Sequence, residues 1–156
     1  MSRGKDRLEF KFKTRYTEDP FKAIMTKESK RRVLIVDDED VNLQLLSNIL
    51  RAQGYEIATA TNGRDAVHII KKNPPDMVLL DVEMPVMDGY ETLKKIRETY
   101  PANRLPVIII TIKDESEDMV HAFEMGANDF VIKPIDLAVL LARIRTHLSV
   151  IRDGNP

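Results

Sequence analysis

Three short runs constrain this chain more than anything else in it. Val33–Val36, Met77–Leu80 and Val107–Ile110 are wholly apolar, and two of them are rich in β-branched residues. None alternates with polar residues, as a strand with one wet face would. Runs of this kind belong to strands covered on both faces. A sheet covered on both faces is sandwiched between helices and is typically parallel.

The intervening segments supply the helices. Val41, Leu45, Leu46, Ile49 and Leu50 recur at helical spacing, and Gln53-Gly54 ends that helix. Tyr55–Ala60 reads as a second strand. Asn62-Gly63 is a turn, and Ala66, Val67, Ile69 and Ile70 give a second helix that stops before Pro74-Pro75. Tyr90–Thr99 is the third helix. Ser116–Met125 is the fourth, closed by Gly126. Phe130–Ile132 is a short fifth strand, and Asp136 caps a last helix running to about Val150. Five strands alternating with five helices predict an α/β fold with nearly obligatory right-handed crossovers. Ligands of such sheets sit at the carboxyl ends of the strands, where the strand order reverses.

Composition removes several classes. The chain has no cysteine, which excludes disulfides and thiolate metal sites. No apolar run approaches the roughly 20 residues needed to span a membrane, and the first residues lack the apolar core of a signal peptide. A cytoplasmic location is the expectation. The net charge of −1 joins two unlike parts. Residues 1–32 hold 11 Lys and Arg against 5 Asp and Glu, a net +6; the remainder holds 13 against 20, a net −7. The basic part reads as a solvated arm, or as one that docks on an acidic surface. Within it, Leu8, Phe10 and Phe12 alternate as in a half-buried strand, and Thr17 to Lys27 suits a short helix. The expected division is an N-terminal extension over 1–30, the main domain over 31–150, and a tail or linker start over 151–156.

The polar residues fall at the strand ends. The first strand runs into Asp37-Asp38, the third into Asp81, the fourth into Thr111 and the fifth into Lys133. A parallel sheet brings these ends to one rim, gathering three carboxylates, a hydroxyl and an ammonium. Each pair of carboxylates at ~4 Å costs on the order of 4 kcal/mol at a surface-like dielectric. A cation relieves that repulsion, and hard oxygen ligands without histidine or cysteine suit Mg2+ better than zinc. An aspartate beside such an ion can act as a nucleophile toward phosphorus. Taken singly, each residue has a plainer use. Asp37-Asp38-Glu39-Asp40 would favour a helix N-terminus, Asp81 and Thr111 would close strands, and Lys133 would be a solvated lysine before a proline.

The runs VLIVDDED, VLLDVEMPVMDGYE, VIIITIKD and GANDFVIKP, in this order and spacing, resemble the response-regulator receiver family of two-component systems. The resemblance covers about Arg32 to Val150. It implies a doubly wound (βα)5, flavodoxin-like three-layer sandwich with strand order 2-1-3-4-5. It implies that Asp81 accepts a phosphoryl group from a phosphohistidine on a sensor histidine kinase or phosphotransfer protein. Asp38 and Asp81 would bind Mg2+ directly, Asp37 through water, and the Glu83 backbone carbonyl would add a ligand. Lys133 would bridge Asp81 and the phosphoryl group, ahead of a cis bond to Pro134. Thr111 and Phe130 would be the switch pair, remodelling the face around the fourth helix, fifth strand and fifth helix for dimerisation or output control. Arg143 and Asp129 would pair between the two copies of such a dimer.

The chain is thus expected to be a signalling switch rather than a turnover enzyme, with a covalently linked output domain lying outside it. Two features depart from the family pattern: the arm over residues 1–30, and Ile112, where the residue after the switch threonine is usually small. An aspartate-nucleophile phosphatase of the haloacid-dehalogenase type is a second reading, weakened by the missing Asp-x-Asp after the first strand and the lack of room for a cap. A receiver that binds partners without being phosphorylated is a third, weakened by the intact Asp38, Asp81, Thr111 and Lys133. Neither GxxxxGKS nor GxGxxG occurs, which argues against NTPases and dinucleotide enzymes. No direct nucleic-acid contact is expected. His68, His121 and His147 read as surface or boundary residues.

Overall fold

The computed structural model describes residues 30–154. The strand and helix expected before residue 30 lie outside the described residues. The elements are β1 (Arg32–Val36), α1 (Asp40–Ala52), β2 (Glu56–Ala60), α2 (Gly63–Lys72) and β3 (Met77–Asp81). They continue with α3 (Gly89–Thr99), β4 (Val107–Thr111), α4 (Ser116–Glu124), β5 (Asp129–Ile132) and α5 (Leu137–Gly154). All strand pairings are parallel, in the order β2-β1-β3-β4-β5. The doubly wound, flavodoxin-like sandwich is therefore the observed fold.

Strand periodicity builds two cores from one sheet. Leu34, Val36, Val78, Leu80, Val107 and Ile109 face one side with Phe130, under Ala66 and Ile70 of α2, Leu93 and Ile96 of α3, and Ala122 of α4. Val33, Ile35, Met77, Leu79, Ile108 and Ile110 face the other, under Leu46 and Leu50 of α1 and Leu140, Ile144 and Leu148 of α5. Each fully buried Leu or Ile contributes roughly 1.5–3 kcal/mol of transfer free energy, so a polar replacement at these apolar positions is costly.

Two strands run one residue beyond their apolar runs. Asp81 pairs with Ile110, and Thr111 with Ile132. Backbone pairing, not side-chain polarity, decides where a strand stops, so both polar residues are held in register at the rim. At the other end of the chain, α5 continues to Gly154, past the expected Val150. Gly54 and Gly126 close α1 and α4 with φ of +95° and +101°, conformations an L side chain rarely adopts. Among the described residues, no helix is long and apolar enough to cross a membrane.

Candidate functional site

The strand order reverses between β1 and β3, and a crevice opens at their carboxyl ends. Asp37 follows β1 directly. Its Oδ1 accepts the Glu39 amide at 2.9 Å, and its Oδ2 accepts the Asn42 side-chain amide at 3.2 Å. These bonds turn the chain toward α1, whose N-cap residue, Glu39, makes no side-chain capping bond. The acidic run thus serves the crevice more than the helix start.

Asp37, Asp38 and Asp81 come together, each offering one oxygen within 4.8 Å of the others. Asp37 and Asp81 are buried while Asp38 is exposed. Lys133 reaches across from the end of β5, its Nζ 3.4 Å from Asp37 Oδ2 and 3.8 Å from Asp81 Oδ2. The Lys133 amide donates to the Thr111 carbonyl at 2.8 Å, and the bond to Pro134 is cis. Thr111 is fully buried, and its hydroxyl accepts the Lys113 amide at 3.2 Å. Phe130 is buried in the core beside β4.

The loop after β3 is shaped by close approach. A Cβ on Gly89 would stand 2.3 Å from the Asp81 carbonyl oxygen and 2.7 Å from the Val82 Cα, so only glycine fits there. Its amide donates to the Val82 carbonyl at 2.8 Å. Asp88 caps α3 by accepting the Glu91 amide at 2.9 Å. Earlier in the same loop Val86 adopts φ +71°, an uncommon conformation for a β-branched residue, with its side chain 70% exposed. Nothing in the sequence signals this strain, because valine prefers extended backbone.

Burial pushes the Asp81 carboxyl up to about 6. The Lys133 ammonium opposes that rise, Asp37 and Asp38 add to it, and the Glu83 amide, hydrogen-bonded to Asp81, opposes it. Three formal negative charges face one lysine. The donor set is oxygen only, close-set and short of positive charge, and it fits a hard divalent cation. Glu83 enters this geometry through its amide N–H. Beside the crevice, Asn42, Leu45, Leu46 and Ile135 line a cavity of about 250 Å³ that shares Asp37 and Lys133 with it.

The residues expected at the site are gathered as follows: Asp37, Asp38, Asp81 and Lys133 meet in the crevice, and Thr111 ends the adjacent strand. Ile112 points outward, 63% exposed. Within one chain, Asp129 holds two partners from α5. Arg143 bonds Asp129, and His147 Nε2 lies 2.9 Å from the other Asp129 oxygen. Arg143 lies one to two turns into α5 and reaches back to β5. His147 is therefore a boundary residue with a defined partner, and His121 packs edge-on against Tyr90 at 4.7 Å.

Fold and crevice together define a doubly wound α/β domain with a carboxylate cluster and a lysine at the reversal of strand order. The model of the response regulator receiver domain matches residues 33–145. The chain therefore belongs to that family. It is 41% identical over 115 residues to Response regulator PleD of Caulobacter vibrioides, covering 74% of this chain and 25% of that protein. It is 41% identical over 129 residues to a probable cyclic di-GMP phosphodiesterase of Vibrio cholerae, covering 83% and 29%. The chain thus spans under a third of the length of these relatives. Among solved structures, a CheY-like receiver domain protein from Methanospirillum hungatei superposes with a TM-score of 0.76 at 28% identity, covering 81% of this chain and all of that one. Chemotaxis protein CheY4 of Vibrio cholerae superposes at 0.71 with 31% identity, covering 76% and 98%.

Proposed function

We propose that this receiver domain is a phosphorylation switch whose acceptor is Asp81. The observation that carries the reading is the meeting of Asp37, Asp38 and Asp81 within 4.8 Å, faced by Lys133. Asp37, Asp38 and Asp81 would hold Mg2+, with the Glu83 carbonyl as a further ligand. A bound Mg2+ would offset carboxylate charge and draw in phosphoryl oxygens.

An Asp81 carboxylate oxygen attacks the phosphorus of a phosphohistidine on a sensor kinase or phosphotransfer protein. A new O–P bond forms, the N–P bond breaks, and its electron pair returns to the imidazole, which takes up a proton. Lys133 balances the charge gathering on the transferring group, and catalysis is largely positioning and neutralisation. The modification adds a charge of about −1.5 to −2 to a buried site. The Thr111 hydroxyl turns toward the phosphoryl oxygens, Phe130 follows into the vacated space, and the α4–β5–α5 face changes. That face then serves a homodimer, in which Asp129 and Arg143 of different copies pair, or an output domain. The name of one longer relative, a probable cyclic di-GMP phosphodiesterase, supports an output in cyclic di-GMP turnover.

The domain division that accompanies this reading is an extension over 1–30, the receiver over 31–150 and a tail over 151–156. Mass measurement after incubation with Mg2+ and a phosphodonor tests the reading. One phosphoryl group should be added, lost in Asp81→Asn and kept in Asp88→Asn, where asparagine still caps α3. Retention of the group in Asp81→Asn removes Asp81 as acceptor.

A further inference from the structure

A second cluster of charge lies at the opposite rim, where the strands begin. Arg31 precedes β1, Tyr55 precedes β2, and Arg145, Leu148 and Ser149 lie on α5. Together they line a cleft of about 200 Å³, room for a small polyatomic ion rather than a peptide.

The donors of this cleft are incompletely used. Arg145 makes no salt bridge among the described residues. Arg31 pairs with Asp76 at 3.5 Å, long for a hydrogen bond, while the other Asp76 oxygen accepts the Arg32 amide at 2.8 Å. A guanidinium carries five N–H donors, so among the described residues most of those on Arg31 remain. Burial holds the Tyr55 phenol above its usual value, opposed by the nearby Arg145 charge, so its hydroxyl stays a donor at neutral pH. The Ser149 hydroxyl donates to the Arg145 carbonyl at 2.8 Å and offers no donor of its own. Strand alternation turns Glu56 away, because Tyr55 and Ile57 pack on the α1–α5 core and Ala58 on the other. Among the described residues, two arginines against Asp76 leave the cleft formally positive.

We infer that this cleft binds a phosphate group, held by the guanidinium forks of Arg31 and Arg145 and by the Tyr55 hydroxyl. A planar carboxylate is satisfied by one fork, whereas donors arriving from three separate elements match a tetrahedral oxyanion. Leu148 adds an apolar wall. The site is separate from the acceptor crevice and does not depend on the reading of Asp81.

Titration of the full chain with inorganic phosphate, against sodium chloride at equal ionic strength, tests the inference by NMR. The Arg31 and Arg145 Nε–H signals and the Leu148 methyls should move together and saturate. Arg145→Ala, on an exposed side chain, should weaken binding about tenfold, as expected for loss of one charge-assisted contact. Asp81→Asn should leave this curve unchanged, which separates the cleft from anion binding beside Lys133. Phenyl phosphate distinguishes the two sources of the group: tighter binding assigns the cleft to a monoester, weaker binding to the free ion, each with the same Arg145 dependence. Equal shifts in chloride, an unchanged affinity in Arg145→Ala, or movement confined to the surroundings of Lys133 would overturn it.

Discussion

Asp81 carries a cost in the folded chain. Its carboxyl titrates at about 6 when folded, above its ordinary value of 3.8, so folding favours the protonated form. Its contribution to stability is full below about pH 4 and fades as the pH rises through 6. Without divalent ions, Asp81→Asn should be more stable than the parent at pH 8, by on the order of 1–2 kcal/mol, and equal to it near pH 4. Denaturant unfolding at both values checks this; a difference that grows toward low pH would contradict it. Val86 presents a different local cost. Asparagine tolerates its left-handed backbone, and the valine side chain buries little. Val86→Asn should raise stability by about 0.5–1 kcal/mol, read from the denaturant midpoint. Ile112 stands 63% exposed beside the Thr111 strand end. Ile112→Ala should speed phosphorylation by a small donor several-fold while moving stability by less than about 0.5 kcal/mol. Equal rates would remove Ile112 as an obstacle to entry.

The elements were legible where one chemistry filled a whole segment. β3 and β4 announced themselves as apolar runs, and the acidic and lysine residues of the crevice followed from where those runs stopped. Pairing across the sheet was not legible: the apolar runs stop at Leu80 and Ile110, and only the pairing fixes Asp81 against Ile110 and Thr111 against Ile132. His147 as a partner of Asp129 was also hidden, because it read only as a surface or boundary histidine. Arg97 is the plainest omission. In the sequence it is one more charge on an amphipathic helix. In the fold it leaves α3, donates to the carbonyls of Gly126, Tyr100 and Leu105, and bonds Asn128 Oδ1, all between 2.9 and 3.0 Å. Asn128 in turn accepts the Val107 amide and donates to the Ala102 carbonyl. Burial lowers the guanidinium to about 10, which leaves it charged at neutral pH. This one side chain ties the end of α3 to the starts of β4 and β5. Arg97→Met should cost about 2–4 kcal/mol, since it strands several buried acceptors at once. A loss under ~1 kcal/mol in urea unfolding would show those carbonyls to be satisfied by water.

At the scale of the whole molecule, cation binding and folding are linked. The three carboxylates repel in the absence of an ion, and an ion that binds only the folded state stabilises it in proportion to the logarithm of its concentration. At a hundredfold excess over Kd the gain is about 2.7 kcal/mol, worth several degrees in Tm. Mg2+ should therefore raise Tm, a chelator should reverse the rise, and Asp38→Asn should shrink it; a Tm indifferent to Mg2+ would leave the crevice without its ion. The direction of α5 has a mechanical consequence. It starts beside Lys133 and returns to the strand starts, where Leu148 and Ser149 meet Arg31. Its 18 residues span about 27 Å at 1.5 Å per residue. News of an event at Asp81 can therefore leave through the far floor of the domain as a small tilt of one stiff rod, gripped midway by Asp129 and seated on Leu140, Ile144 and Leu148.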